Sequence, residues 1–99
     1  KRPSSRSAVR WLLTPRAWDG LKRGRLPRDP GAQEGYRGRH SEEAPFVAAI
    51  LAYIDLSRAL RALPLHQRRF AGRLLSGREQ QDDAPGWLVE AVWSKVNSP

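Results

Sequence analysis

Residues 41–64 read SEEAPFVAAILAYIDLSRALRALP, and the fold is decided there. Ser41 is a good N-cap. Glu42 and Glu43 sit where the positive end of a helix favours acids, and Pro45 falls in the first turn. No breaker intervenes from Phe46 to Leu63. Phe46, Val47, Ile50, Leu51, Tyr53, Ile54, Leu56, Leu60 and Leu63 cover more than one face of the first half. A helix that is apolar nearly all round is a central one. Beyond Asp55 the pattern becomes amphipathic, with Ser57, Arg58 and Arg61 on the wet side. Pro64 ends it, because the residue before a proline avoids the helical region. The expectation is a central helix over about 44–63.

Downstream, Leu65 to Ser76 forms the next helix, with Phe70 and Leu74 inward and Gly77 as its stop. Arg78 to Asp83 is a polar link, and Asp83 caps a last helix over about 85–96. There Trp87, Leu88, Val89, Ala91, Val92, Trp93 and Val96 repeat with helical spacing. Upstream, Ser5 to Leu13 is a short helix. Thr14-Pro15 restarts the chain as N-cap and first helical position, and Pro15 to Arg23 is a second short helix stopped by Gly24. Residues 24–40, GRLPRDPGAQEGYRGRH, hold no period of 2 or 3.6 and read as an Arg/Gly/Pro-rich loop. A loop of this length argues against a passive connector.

These elements make one all-α domain over 1–99, a small bundle of about five helices. Its basic N-terminal part is 1–40 and its three-helix core is 41–99. The expected core is Trp11, Leu12, Trp18, Leu21, Val47, Ile50, Leu51, Ile54, Leu60, Leu63, Phe70, Leu74, Val89, Val92 and Trp93. If Ile50 or Leu51 is central, its replacement by Ala costs about 2–5 kcal/mol.

The 99 residues contain no Cys, which excludes disulfides, thiolate metal sites and thiol catalysis. They contain no Met either, so the expectation is a chain that begins after processing or is a piece of a longer one. The longest apolar run, Ala44 to Ile54, is far short of the roughly 20 residues a membrane helix needs. The N-terminus lacks the apolar region of a signal peptide.

Net charge is +8, and its distribution is uneven. Residues 1–40 carry 11 cations and 3 anions, whereas residues 41–99 carry 7 of each. An excess of that kind points to a polyanionic partner, most simply nucleic acid. An Arg-rich coding bias explains the same composition without a partner. Between Leu56 and Arg78 lie six Arg (58, 61, 68, 69, 73 and 78) and no acid. Arg58 and Arg61 are helix neighbours, as are Arg69 and Arg73. Two helices meeting at Pro64 would present these guanidinium groups to phosphates. The competing explanation is a solvated face bridged to Glu79, Asp82 and Asp83.

Lys22, Arg23, Arg25, Arg37 and Arg39 form a second basic set, with Tyr36 as an aromatic that can stack on bases. Trp11 and Trp18 occupy helix-face positions and are assigned to the core. Trp87 and Trp93 are candidates for a partner groove. His40 and His66 stand in no catalytic motif. The acid pairs 42–43 and 82–83 are accounted for as helix-terminus charges. No Gly-rich phosphate loop or metal motif is present in the sequence. The expectation is a non-enzyme without metal or cofactor.

The stretch 55–77 resembles the opening of sigma-factor region 4-like domains and of small phage regulators of antitermination or late transcription. Asp55, Ala59-Leu60, Leu63-Pro64, Gln67-Arg68, Leu74 and Gly77 carry the resemblance. It implies transcription control, a DNA partner in preference to RNA, and contact with RNA polymerase. In that family a recognition helix follows the glycine after a tight turn. Here one helix follows, after a longer link, with Lys95 as its one cation.

Three functions stay open. The first is a nucleic-acid-binding, phage-type transcription regulator in the cytoplasm. The second is an RNA-binding component of a ribosomal or organellar assembly, in an organelle matrix. The third is a helical protein-interaction module that uses Trp87 and Trp93.

Overall fold

The computed structural model describes residues 6–26 and 45–97. These residues form five α-helices and no strand: α1 (Arg6–Leu12), α2 (Pro15–Lys22), α3 (Pro45–Arg61), α4 (Leu65–Leu75) and α5 (Gly86–Val96). The protein is a small all-α bundle. Helix α3 packs against α2 and α5, α1 closes on α5, and α4 lies against both α2 and α3. The loop of 24–40 is described only as far as Leu26. Tyr36, Arg37, Arg39 and His40, and the Ser41–Glu43 helix start, lie outside the described residues.

Local chemistry places the breaks. Thr14 is extended (φ −112°, ψ 154°), and its hydroxyl accepts the Ala17 N–H at 3.2 Å as the N-cap of α2. The same hydroxyl donates to the Trp11 carbonyl at 3.1 Å, so one side chain ends α1 and starts α2. Pro15 follows at the first helical position.

Helices α2 and α4 end alike. Gly24 and Gly77 both have φ +78°. The Arg25 N–H reaches the Gly20 carbonyl at 2.8 Å, and the Arg78 N–H reaches that of Arg73 at 2.8 Å. These are Schellman closures, which need a left-handed residue after the helix. At Gly24 the demand is doubled. A Cβ there would stand 2.3 Å from the Phe46 ring, so any side chain at this position forces that ring to move.

The core is built from Val9, Leu12, Leu13, Trp18, Leu21, Leu56, Leu63, Leu74, Leu88, Val89, Val92 and Val96. Trp18 stacks at a tilt on Tyr53, with centroids 5.0 Å apart. Each fully buried Leu or Val contributes about 1.5–3 kcal/mol over its exposed state.

The central helix is where expected, but its inward face is not. Ala48, Ala49, Ala52, Leu56 and Ala59 are buried, while Val47 and Ile54 are exposed and Ile50, Leu51 and Leu60 only partly buried. Small side chains let α2 and α5 approach α3 closely, and the large apolar groups filling the space come from those partners. The first half of α3 is apolar on both faces, so periodicity alone does not select between them.

Other core assignments change for related reasons. Trp11 is exposed, and Val9 and Leu13 take the inward positions of α1. Phe70 and Trp93 are partly buried at the edge of the core. Asp83 does not cap α5. Pro85 is the N-cap residue, without a side-chain bond, and the Asp83 carbonyl accepts from the Gln81 amide at 3.2 Å instead.

Two N-terminal cations serve the fold. Arg10 donates to the Ala84 carbonyl at 2.8 Å, tying α1 to the segment before α5. Arg6 pairs with Glu90 and lies over the Trp93 ring, 4.0 Å from its centroid.

Candidate nucleic-acid interface

The basic surface is assembled at the Pro64 corner. On α3, residues after Ile54 switch from apolar to basic on the solvent side, and Arg58 and Arg61 stand there exposed, one helical turn apart. Pro64 ends α3 and is itself the N-cap residue of α4 (φ −55°, ψ 153°). Helix α4 turns Ala71, Leu74 and Leu75 to the core, which leaves Arg68, Arg69 and Arg73 exposed. A direct link joins the two helices: Arg68 Nη1 donates to the Arg61 carbonyl at 3.4 Å. That carbonyl belongs to the last turn of α3, where a cation is electrostatically favoured.

Arg73 Nε is paired with Glu79 at 2.6 Å, and its guanidinium lies 5.8 Å from the Phe70 ring centroid. Asp82 and Asp83 are exposed and form no ion pair with these arginines, so bridging to acids accounts for Arg73 alone. Arg58, Arg61, Arg69 and Arg78 have no ion-pair partner among the described residues. Arg58 and Arg61 on α3 and Arg68 and Arg69 in the first half of α4 therefore flank the Pro64 corner, while Arg78 lies beyond the far end of α4.

Aromatic surface lies beside Arg73. Phe70 packs on Trp87 of α5, with centroids 5.4 Å apart at 47°, and Trp87 keeps 45% of its surface exposed. The two candidate partner-binding tryptophans are thus separated. Trp87 packs on Phe70 of α4, whereas Trp93 is half-buried beneath Arg6. Helix α5 buries Leu88, Val89, Val92 and Val96, and Glu90 on its outer side is engaged by Arg6. The cationic helix is α4, not the one that follows Gly77.

The second basic set divides. Arg23 pairs with Asp19 across one turn at 3.3 Å, both exposed. Lys22 is exposed at the end of α2. Arg25 lines a half-open groove of about 480 Å³ with Trp11, Thr14, Arg16, Ala17, Gly20 and Leu26. The sequence reading missed Arg16 and this use of Trp11. The available signal was the run Trp11-Leu-Leu-Thr14-Pro15-Arg16, in which a capping Thr reverses the chain between an indole and a guanidinium.

Among the described residues no cluster of three or more His or acidic side chains is arranged to hold a metal ion. No helix among them is long and apolar enough to cross a membrane. No family model, curated protein or solved structure matches this chain.

Proposed function

We propose that this protein binds nucleic acid through the α3–α4 corner, and that it acts as a small transcription regulator rather than as an enzyme. One observation carries the binding reading. Arg58, Arg61, Arg68, Arg69 and Arg73 line two helices joined at Pro64, and only Arg73 is neutralised by an acid. Exposed, unpaired guanidinium groups suit phosphate oxygens, which they engage in a bidentate manner. Phosphate contacts give affinity and register without sequence choice. Duplex DNA is the favoured partner, because two helices at a fixed corner present cations to a rigid backbone. The regulatory part of the reading, with its RNA polymerase contact, phage-type role and cytoplasmic setting, is supported by the resemblance of residues 55–77.

The test is fluorescence anisotropy with a labelled 20-base-pair DNA duplex at about 50 and 200 mM salt. Release of counterions from about four phosphates predicts a loss of affinity of roughly 100-fold across that range. Binding that is absent at 50 mM, or indifferent to salt, would sink the proposal. An RNA-assembly role is the second reading. The exposed Trp11 favours it, because stacking platforms belong to single-strand binders.

A further inference from the structure

The groove between α1, α2 and the Arg25–Leu26 segment is not used by the Pro64 corner, and its lining combines an indole with two arginines. Trp11 stands at its edge with 44% of its surface exposed, although the neighbouring Val9, Leu12 and Leu13 are buried. A large aromatic left in solvent forfeits a substantial hydrophobic gain. Arg16 and Arg25 also line the groove, and neither has an ion-pair partner among the described residues. Among the described residues, no acid lines the groove.

Three local features hold the groove open. The Thr14 hydroxyl donates to the Trp11 carbonyl, fixing the backbone at the end of α1 relative to the first turn of α2. The Schellman closure returns Arg25 toward Gly20. Gly20 lacks a side chain where a Cβ would stand 3.4 Å from the Arg25 carbonyl, so the lining stays clear there. A helical glycine costs about 1 kcal/mol relative to Ala. At this position it leaves room beside the Arg25 carbonyl.

From this geometry we infer that the groove binds a nucleotide: an unstacked nucleobase against Trp11, with its phosphate held by Arg16 and Arg25. An exposed indole offers a face to any base, whereas guanidinium groups in the same lining favour an attached phosphate monoester or diester. The volume, about 480 Å³, lies within the range of small-ligand sites. The source is either a free mononucleotide or one position of a single strand. The single-strand source rests on the nucleic-acid reading above, and the mononucleotide source does not.

The experiment uses the whole chain and four variants: Trp11→Ala, Trp11→Phe, Gly20→Leu and the pair Arg16→Gln/Arg25→Gln. Each is checked for native helicity and melting before titration. The probes are a fluorescein-labelled 12-mer of deoxythymidine, a labelled duplex and AMP followed by tryptophan fluorescence. Trp11→Ala and Gly20→Leu are expected to weaken binding of the 12-mer about 10-fold or more, with Trp11→Phe retaining most of it. Duplex affinity should change less than about 2-fold in all three. The double Arg variant should reduce the salt dependence of 12-mer binding.

If Trp11→Ala and Gly20→Leu leave the 12-mer as tightly bound as before and AMP causes no quenching, the groove proposal is overturned. If duplex and 12-mer both fail to bind the native chain while AMP quenches Trp11 and not the Trp11→Phe variant, the nucleic-acid reading falls and the groove stands as a mononucleotide site. If duplex binds and both single-strand and AMP responses are absent, the groove fails and the corner stands.

Discussion

Gly24 and Gly77 share a backbone conformation, yet they differ in what surrounds the α-carbon. Both have φ +78°, so a side chain at either costs about 1–2 kcal/mol from the left-handed backbone alone. At Gly77 no atom lies within 4 Å of an added Cβ. At Gly24 the Phe46 ring occupies that space at 2.3 Å. Gly24→Ala is therefore expected to lower unfolding free energy in urea by at least about 1 kcal/mol more than Gly77→Ala. Equal losses would show that Phe46 moves aside without cost. Arg10 offers a second residue-level comparison. Arg10→Gln should cost about 1–2 kcal/mol, because it weakens a part-buried, charge-assisted bond to the Ala84 carbonyl. Arg58→Gln, which removes an exposed and unpaired cation, should leave stability within about 0.5 kcal/mol. Thermal melts of the two variants distinguish a cation that holds the fold from one free to meet a ligand.

At the scale of the element, α3 inverts the usual pattern of large residues inside. Its buried line is mostly alanine, and Phe46, Val47 and Ile54 face solvent, with Phe46 61% exposed. The consequence is measurable. Ala52→Leu should destabilise by about 1–3 kcal/mol, because the added side chain meets close-packed α2 and α5. Ile54→Ser should cost less than about 1 kcal/mol. The reverse order in a urea titration would mean that the opposite face of α3 packs inward. Because Ile50 and Leu51 are only partly buried, their replacement by Ala should fall at or below the low end of the 2–5 kcal/mol typical of full burial. Existence and boundaries of α3 were legible, since Pro64 and the unbroken apolar run define them. Its inward face was not, because residues 46–54 are apolar around most of the helix and the choice depends on the shapes that α2 and α5 present.

For the whole molecule, the informative quantity is where charge remains after folding. Folding commits Arg6, Arg10, Arg23 and Arg73 to Glu90, a carbonyl, Asp19 and Glu79 respectively. The uncommitted cations flanking the α3–α4 corner are Arg58, Arg61 and Arg69, with Arg68 bridging the two helices, and Arg78 is uncommitted beyond the far end of α4. Replacing Arg58, Arg61 and Arg69 together by Gln should lower the slope of log affinity against log salt for duplex DNA by about 3, roughly one unit per lost phosphate contact. Replacing Arg6 and Arg10 should lower the melting temperature with little change in that slope. An unchanged slope in the triple variant would place duplex binding elsewhere on the chain.

The sequence by itself determined the all-α class, the order of the five helices and most of their ends. Those features depend on local interactions: a Thr-Pro start at 14–15, a proline stop at 64, and glycine stops at 24 and 77, each acting within a few residues. The basic stretch 56–78 was equally visible, because charge is a property of the residues themselves. Tertiary structure decided which arginines are free, which face of α3 is buried, and where the tryptophans fall. Trp18 went to the core, Trp11 to a groove, Trp87 against Phe70 of α4 and Trp93 beneath Arg6. Such outcomes depend on contacts between residues as much as 84 positions apart, as in the Arg6–Glu90 pair. Spacing along the chain carries no information about a partner at that distance. Only the packing of α1 on α5 brings the two together.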